Sequence, residues 1–453
     1  MELTRPLMRF AAERPHALLA VAPGATRLRL AAERSLRERG WPEAASSADA
    51  DLLVACGQPG AEFALVVDEL WRQIPQPRTR LEVTDPRELD DLLDQGAANL
   101  RDATRRRLEL VPRHALDQRS GDAHGEDAHT HRNGAHEHRG NSDAATAHAK
   151  HEEAGEHDPH MEAGDQEMRM DAGEPAEHAG GGHAGHGGGG LVAGFELASR
   201  APDRDGLKLD RLHLPLGPVL ADWPSGLVVR TAMQGDVIQE AEAFVIDAQQ
   251  GPAGLAFWNE PWLRASAGEQ VSAGGAARRR AAALLDSLGR LLAVAGWEEA
   301  AIGTRRLRDD LLVGAEPGGA RQVFSRLDRR VRRSRLLRWQ LAGLGSLDHD
   351  TALARGVGGP ALRAGGDVWL RLLRWLDETA EAFVALDSVA ALKPPFEGSR
   401  GPLGGEPPSR ALLDALPGLL VGCELAGARL VVASLDPDPD ELVSAAAPVA
   451  VRG

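Results

Sequence analysis

Residues 212–244, LHLPLGPVLADWPSGLVVRTAMQGDVIQEAEAF, decide the fold. The stretch opens on a turn-forming Gly217-Pro218. It runs through Leu227, Val228, Val229 and on to Met233, turns at Gln234-Gly235-Asp236, and resumes at Val237-Ile238. Two β-forming runs joined by a Gly/Asp turn predict an antiparallel hairpin. The flanks differ in period, so the chain reads as domains of different class hinged on this hairpin.

Upstream, residues 1–113 alternate short apolar runs with helical patterns. Strands are predicted over 16–22, 50–57 and 80–83, and helices over 27–39, 62–73 and 86–107. Strand and helix in this rhythm predict a parallel sheet in an α/β domain. Downstream of the hairpin-bearing segment 191–270, residues 271–453 read as mainly helical. Residues 276–295 carry an apolar stripe at Ala281, Leu284, Leu285, Leu288, Leu291 and Leu292, closed by Gly296 as a C-terminal cap. Further helices are predicted over 297–312, 324–341, 367–386, 412–423 and 425–435.

Between these parts, residues 114–190 form a tract of another kind. Twelve of the sixteen histidines lie between His124 and His186, among Asp, Glu, Gly and Ala. Such a composition buries too little apolar surface to offset chain entropy, and predicts a disordered linker. His124, His129, His131, His136, His138, His148, His151, His183 and His186 are candidate weak ligands for nickel or zinc. Their spacing specifies no fixed tetrahedral site, and a plain solvated spacer is the other reading.

Composition narrows the function. The net charge is −15, of which −10 falls in residues 119–190 (fifteen Asp/Glu against five Arg/Lys), so a general nucleic-acid binder is excluded. Cys56 and Cys423 are the only cysteines, too few for a four-thiolate iron–sulfur cluster. Neither a signal core nor a run of about 18 apolar residues stands in the chain, so a cytoplasmic protein without a transmembrane segment is expected, docked at most on a membrane complex. Residues 326–338 hold seven arginines. They read either as an anion-binding face or as structural pairs for Asp309, Asp310 and Asp328. Leu327, Val331, Leu336, Leu337 and Trp339 interleave at core-like spacing, which favours the structural reading. Trp258-Asn-Glu-Pro-Trp262 reads as an aromatic turn that either faces a partner or packs under a loop, the second being favoured.

The hairpin stretch resembles the start of the hydrogenase-derived large subunit of respiratory complex I. That family opens with Gly-Pro, His-Pro and His-Gly before its hairpin. Here Gly217-Pro218 stands, Trp223-Pro224 takes the His-Pro place, and Ser225-Gly226 the His-Gly place. The segments beginning at Arg333, Gly366-Asp367 and Arg429 are similar to later pieces of the same family. The segment from Ala48 to Arg78 resembles part of the small, cluster-bearing subunit of complex I and nickel–iron hydrogenases. There the next strand delivers a cluster-ligating Cys; here it runs into Thr84-Asp85-Pro86.

The resemblance implies a fusion: a hydrogenase-small-subunit-like α/β domain, the linker, and a hydrogenase-large-subunit-like mainly helical α+β domain, the two folded domains packed on one another. It also implies a quinone pocket stripped of its donors, with Trp223 and Ser225 as what remains; the family's phenol has no counterpart, since the chain has no Tyr. No catalytic residue and no resident cofactor are expected. The expected function is a non-catalytic structural or assembly component with complex-I-like or hydrogenase-like partner subunits. The alternatives are metal handling through the His-rich tract, and an NADH:quinone-oxidoreductase-like subunit whose partners hold the cofactors.

Overall fold

Three parallel strands begin the chain: β1 (Ala17–Val21), β2 (Leu52–Cys56) and β3 (Thr79–Val83), in the order β1-β2-β3. The helices α1 (Thr26–Arg39), α2 (Ala61–Gln73) and α3 (Leu89–Leu110) connect and follow them. The computed structural model describes residues 13–110, 191–192, 195–196, 199–202, 208–247 and 255–446. The chain divides into two units, residues 1–111 with 191–453 and residues 112–190; the second lies outside the described residues, and with it the expectation of a disordered linker.

Side chains alternate across a strand, so each sheet face builds its own core. Val21, Leu52, Val54, Cys56 and Val83 pack with Leu28, Leu36, Leu93 and Leu100 of α1 and α3. Leu18, Ala20, Leu53 and Ala55 pack with Phe63 and Val67 of α2. Cys56 is fully buried, and that burial pushes its thiol up to about 12, which makes it a structural thiol.

A short pair, β4 (Leu191–Val192) and β5 (Phe195–Glu196), precedes an antiparallel sheet of β6 (Ser199–Pro202), β7 (Lys208–Leu216), β8 (Leu227–Gln234) and β9 (Val237–Val245). The expected hairpin is β8–β9, and it sits inside a larger sheet than the sequence indicated. Its alternation explains its position. Leu227, Val229, Met233 and Ile238 enter the core of the helical part, while Val228 and Ile246 enter the core of the parallel sheet. One two-faced ribbon therefore belongs to both cores.

The helical part follows: α4 (Glu260–Ser266), α5 (Ala273–Val294), α6 (Glu298–Leu312), α7 (Pro317–Arg332), α8 (Arg335–Leu341), α9 (His349–Ala354), α10 (Gly359–Ala364), α11 (Val368–Val384), α12 (Pro408–Leu420), α13 (Leu425–Leu435) and α14 (Pro439–Ala446). α5 is its axis. The predicted stripe is buried, but so are Ala282, Ala283, Asp286, Ser287 and Arg290 on the remaining faces. A helix surrounded on all sides has no solvent face.

Two expectations are corrected here. The single helix over 324–341 is two, because the Ser334 hydroxyl accepts from Leu337 N at 3.2 Å and starts a new helix. That break resets the helical phase. Val331 and Leu337 are buried, whereas Leu336 and Trp339 are 72% and 80% exposed and so are not core residues. Trp258 and Trp262 are both buried, as expected of packing under a loop, but on helical turns rather than in an open turn.

Asp367 staples the later helices. Its carboxylate accepts from Leu370 N at 2.9 Å, capping α11, and from Gly343 N at 2.7 Å. Beside it the buried Arg371 donates to the carbonyls of Gly345 (2.9 Å) and Gly366 (2.7 Å) and to Ser434 Oγ (3.0 Å). Burial without a bound carboxylate brings this guanidinium down to about 10.

Candidate functional site

The loop from Gly217 to Gly226 is shaped by two glycines. Gly217 has φ +87, and a Cβ there would lie 2.1 Å from Leu227 O. Gly226 has φ +75, and a Cβ there would lie 2.3 Å from Pro23 Cγ, in the α/β part. Both positions need Gly for conformation and for close approach. Between them the loop lines a cavity of about 450 Å³. Its other walls come from β1, from the Trp41–Ala45 loop, and from α1, α5 and α6.

Trp223 and Ser225, the two residues singled out from sequence, both line this cavity. Trp223 is buried, and its Nε1 donates to Leu227 O at 2.8 Å, so its one polar atom is engaged by the loop itself. The apolar wall includes Leu18, Leu19, Trp41, Val219 and Ile302. The polar wall includes Glu43 and the ion pair of Arg305 with Asp222. Glu43 is an exposed residue in the wall of this cavity. Desolvation beside the wall, with the charges of Glu33 and Asp222, raises its carboxyl above the ordinary range. A carboxylic acid there is a group that can exchange a proton with an acceptor in the cavity. Glu43 carries no sequence signal: it is a lone carboxylate in a Trp-Pro-Glu loop, and only the fold brings it to the cavity wall.

The cavity wall also includes part of a buried lattice of charge that sequence reasoning missed. Arg29 of α1 donates to Glu33 Oε1 (2.6 Å) and to Asp286 of α5 (2.7 and 3.2 Å). Arg308 of α6, with no exposed surface, donates to Glu33 Oε2 (2.8 Å), to Asp309 (2.9 Å) and to Asp286. Arg37 reaches Asp309. Arg290 joins Asp286 (3.2 Å) to Asp436, and Arg400 closes on Asp436 at 2.5 Å, with Ser287 Oγ donating to the same carboxylate at 2.7 Å. Burial alone would raise the Asp286 carboxyl, but Arg29, Arg308 and Arg290 overcome it and hold it well below the usual range. Burial likewise opposes ionisation of Glu33, and Arg29 and Arg308 prevail.

The lattice continues into the C-terminal helix with the opposite electrostatics. Asp440 accepts from Gly24 N at 3.0 Å, and Glu441 accepts from Asn259 Nδ2 (2.8 Å) and Ser409 N (2.9 Å). Burial raises all three carboxyls of Asp438, Asp440 and Glu441, and the neighbouring charges of Asp440 and Glu441 raise Asp438 further.

The arginine run over 326–338 meets a mixed outcome. Arg332 pairs with Asp328 (2.6 Å) and Asp377 (2.6 Å), and Arg330 with Glu299 (2.7 Å). Asp309, an expected partner, is engaged instead by Arg37 and Arg308. The nine candidate histidines, His124 to His186, lie outside the described residues.

The residues present do not fit the metal centres of the families they resemble. Cys56 is sealed in the sheet core, and Cys423 donates to Leu419 O at 3.3 Å at the end of α12; both thiols are free. Two separated thiols cannot bind a cluster in the four-thiolate manner. Among the described residues, no group of three or more His, Cys, Asp and Glu is arranged to hold a metal. Among them too, no helix is long and apolar enough to cross a membrane.

No family model matches the chain, and no curated protein does. Among solved structures, the chain is similar to one from the membrane-bound sulfane sulfur reductase, an archaeal respiratory membrane complex. The identity is 17% and the TM-score 0.39, over 51% of this chain and 98% of that one. So loose a superposition carries no argument about chemistry.

Proposed function

We propose that this chain is a non-catalytic structural or assembly component that works with complex-I-like or hydrogenase-like subunits. The observation that carries the reading is the lattice from Arg37 through Asp309, Arg308, Asp286 and Arg290 to Asp436 and Arg400. It ties the α/β part to the helical part through buried ion pairs. A buried network in which every arginine meets a carboxylate favours one fixed arrangement over turnover. The thiol count supports the same reading, since no cluster-ligating set stands in the chain.

The test is purification of the full chain from its native host, followed by native electrophoresis and metal analysis, with and without residues 114–190. The expected result is migration with partner subunits and no stoichiometric iron or nickel in either form. Iron or nickel retained without that tract overturns the reading, and so does migration as a lone monomer.

Two observations support other readings. Twelve histidines between His124 and His186 favour nickel or zinc handling, for which metal bound stoichiometrically only with the tract present is the signature. The cavity, with Ser225 and Glu43 in its wall, favours a quinone-oxidoreductase-like subunit whose partners hold the cofactors.

A further inference from the structure

The arginine run is the part of the sequence that the proposed function does not use. On the seven-residue α8, Leu337 and Leu341 face the core. At about 100° per residue the opposite face presents Trp339, flanked by Arg335 and Leu336. Trp339 is 80% exposed and Leu336 72%. Arg333, Arg335 and Arg338 are exposed and form no ion pair among the described residues. The nearby carboxylates are committed elsewhere: Asp328 and Asp377 to Arg332, and Asp367 to backbone N–H groups. Asp367 also holds the loop after α8 against the first turn of α11, where Leu370 is exposed.

We infer that α8 and its flanks form a docking surface for an anionic lipid membrane. A tryptophan and a leucine project outward between unpaired arginines. Indole is favoured at the headgroup level, beside aliphatic side chains that enter the acyl boundary. Each nearby arginine adds attraction to anionic headgroups, and guanidinium matches phosphate in a bidentate way. The charge complementarity is one-sided, with cations on both flanks of the apolar pair and no carboxylate on α8. A bilayer requires no preformed pocket to accept so protruding a tip, whereas a protein partner would have to supply one. The strongly acidic tract elsewhere in the chain bars the whole protein from indiscriminate attraction to anionic surfaces, so binding must come from a local face.

The experiment is co-sedimentation of the full chain with vesicles of phosphatidylcholine containing about one-third phosphatidylglycerol, and with phosphatidylcholine alone, at low and physiological salt. The variants are Arg335→Glu with Arg338→Glu, and Trp339→Ala with Leu336→Ala. All four side chains are exposed, so folding is retained, and circular dichroism checks it. The wild type should bind the anionic vesicles and leave them as salt rises. The charge-reversed variant should bind at least about tenfold more weakly, and the Trp339/Leu336 variant should bind more weakly, its residual binding still falling as salt rises. Equal binding to both vesicle types overturns the inference, as does binding indifferent to either variant, or no sedimentation at low salt. Binding of a single-stranded RNA oligomer with no binding of vesicles also overturns it, and would reassign the arginines to phosphate recognition.

Discussion

Two regions of this molecule are rich in arginine, and they use it in opposite ways. In the lattice, Arg29, Arg290, Arg308 and Arg400 are buried, and each meets a carboxylate. On α8, Arg335 and Arg338 are exposed and meet no carboxylate among the described residues. The same side chain is a weld in the first place and a free charge in the second. What separates them is whether a helix from another part of the chain covers it. Arginine suits both roles because it stays ionised when buried and binds carboxylate and phosphate alike.

The comparison breaks most sharply at Asp286. Replacing it with Ala leaves Arg29, Arg290 and Arg308 short of countercharge in the interior. A loss of about 3–5 kcal/mol is expected, read by urea unfolding; a loss below about 1 kcal/mol would mean that water already solvates the lattice. Next comes the loop that carries the cavity wall. Gly217→Ala places a Cβ against Leu227 O at a positive φ and should cost about 2–3 kcal/mol by the same measurement.

A smaller effect has the opposite sign with pH. Glu33 and Asp286 have lowered values, so their stabilisation is present above the ordinary carboxylate range and is lost as pH falls. Asp438 has a raised value, so the folded chain holds a proton that the unfolded chain releases; its contribution is complete at acid pH and falls as pH rises toward the folded value. Asp438→Asn keeps the neutral form at every pH. It should be neutral near pH 4 and stabilising by about 1 kcal/mol near pH 8; urea unfolding at both values decides. The least effect is expected on α8, where Arg335→Glu should move the unfolding midpoint by no more than about 2 °C in a thermal melt. A larger shift would show that the surface arginines are structural after all.

Much of the fold is legible in the sequence. The three strands, α1, α2, α6, α11, α13 and the hairpin lie within a few residues of their predicted places, because each carries a clear period, and α1 also a stop signal at Gly40. The misses have specific causes. The stripe on α5 marks one buried face; Asp286 and Arg290 lie on another that the structure also buries, with Asp286 paired to Arg29 of α1 and Arg308 of α6. Leu336 and Trp339 were assigned to the core by a period that Ser334 interrupts. Trp223 and Ser225 are marked by the resemblance, at the family's His-Pro and His-Gly places, whereas Glu43 has no neighbouring pattern to mark it.

By itself the sequence determined the alternation of strand and helix, the hairpin, and the absence of enough thiols for a cluster, since period, turn chemistry and residue count are local properties. The tertiary structure alone decided which charges are inside. Glu33 and Asp286 are 253 residues apart in the chain (286 − 33), yet both receive Arg308. A charge is solvated or paired according to what lies across from it, and that neighbour comes from distant sequence.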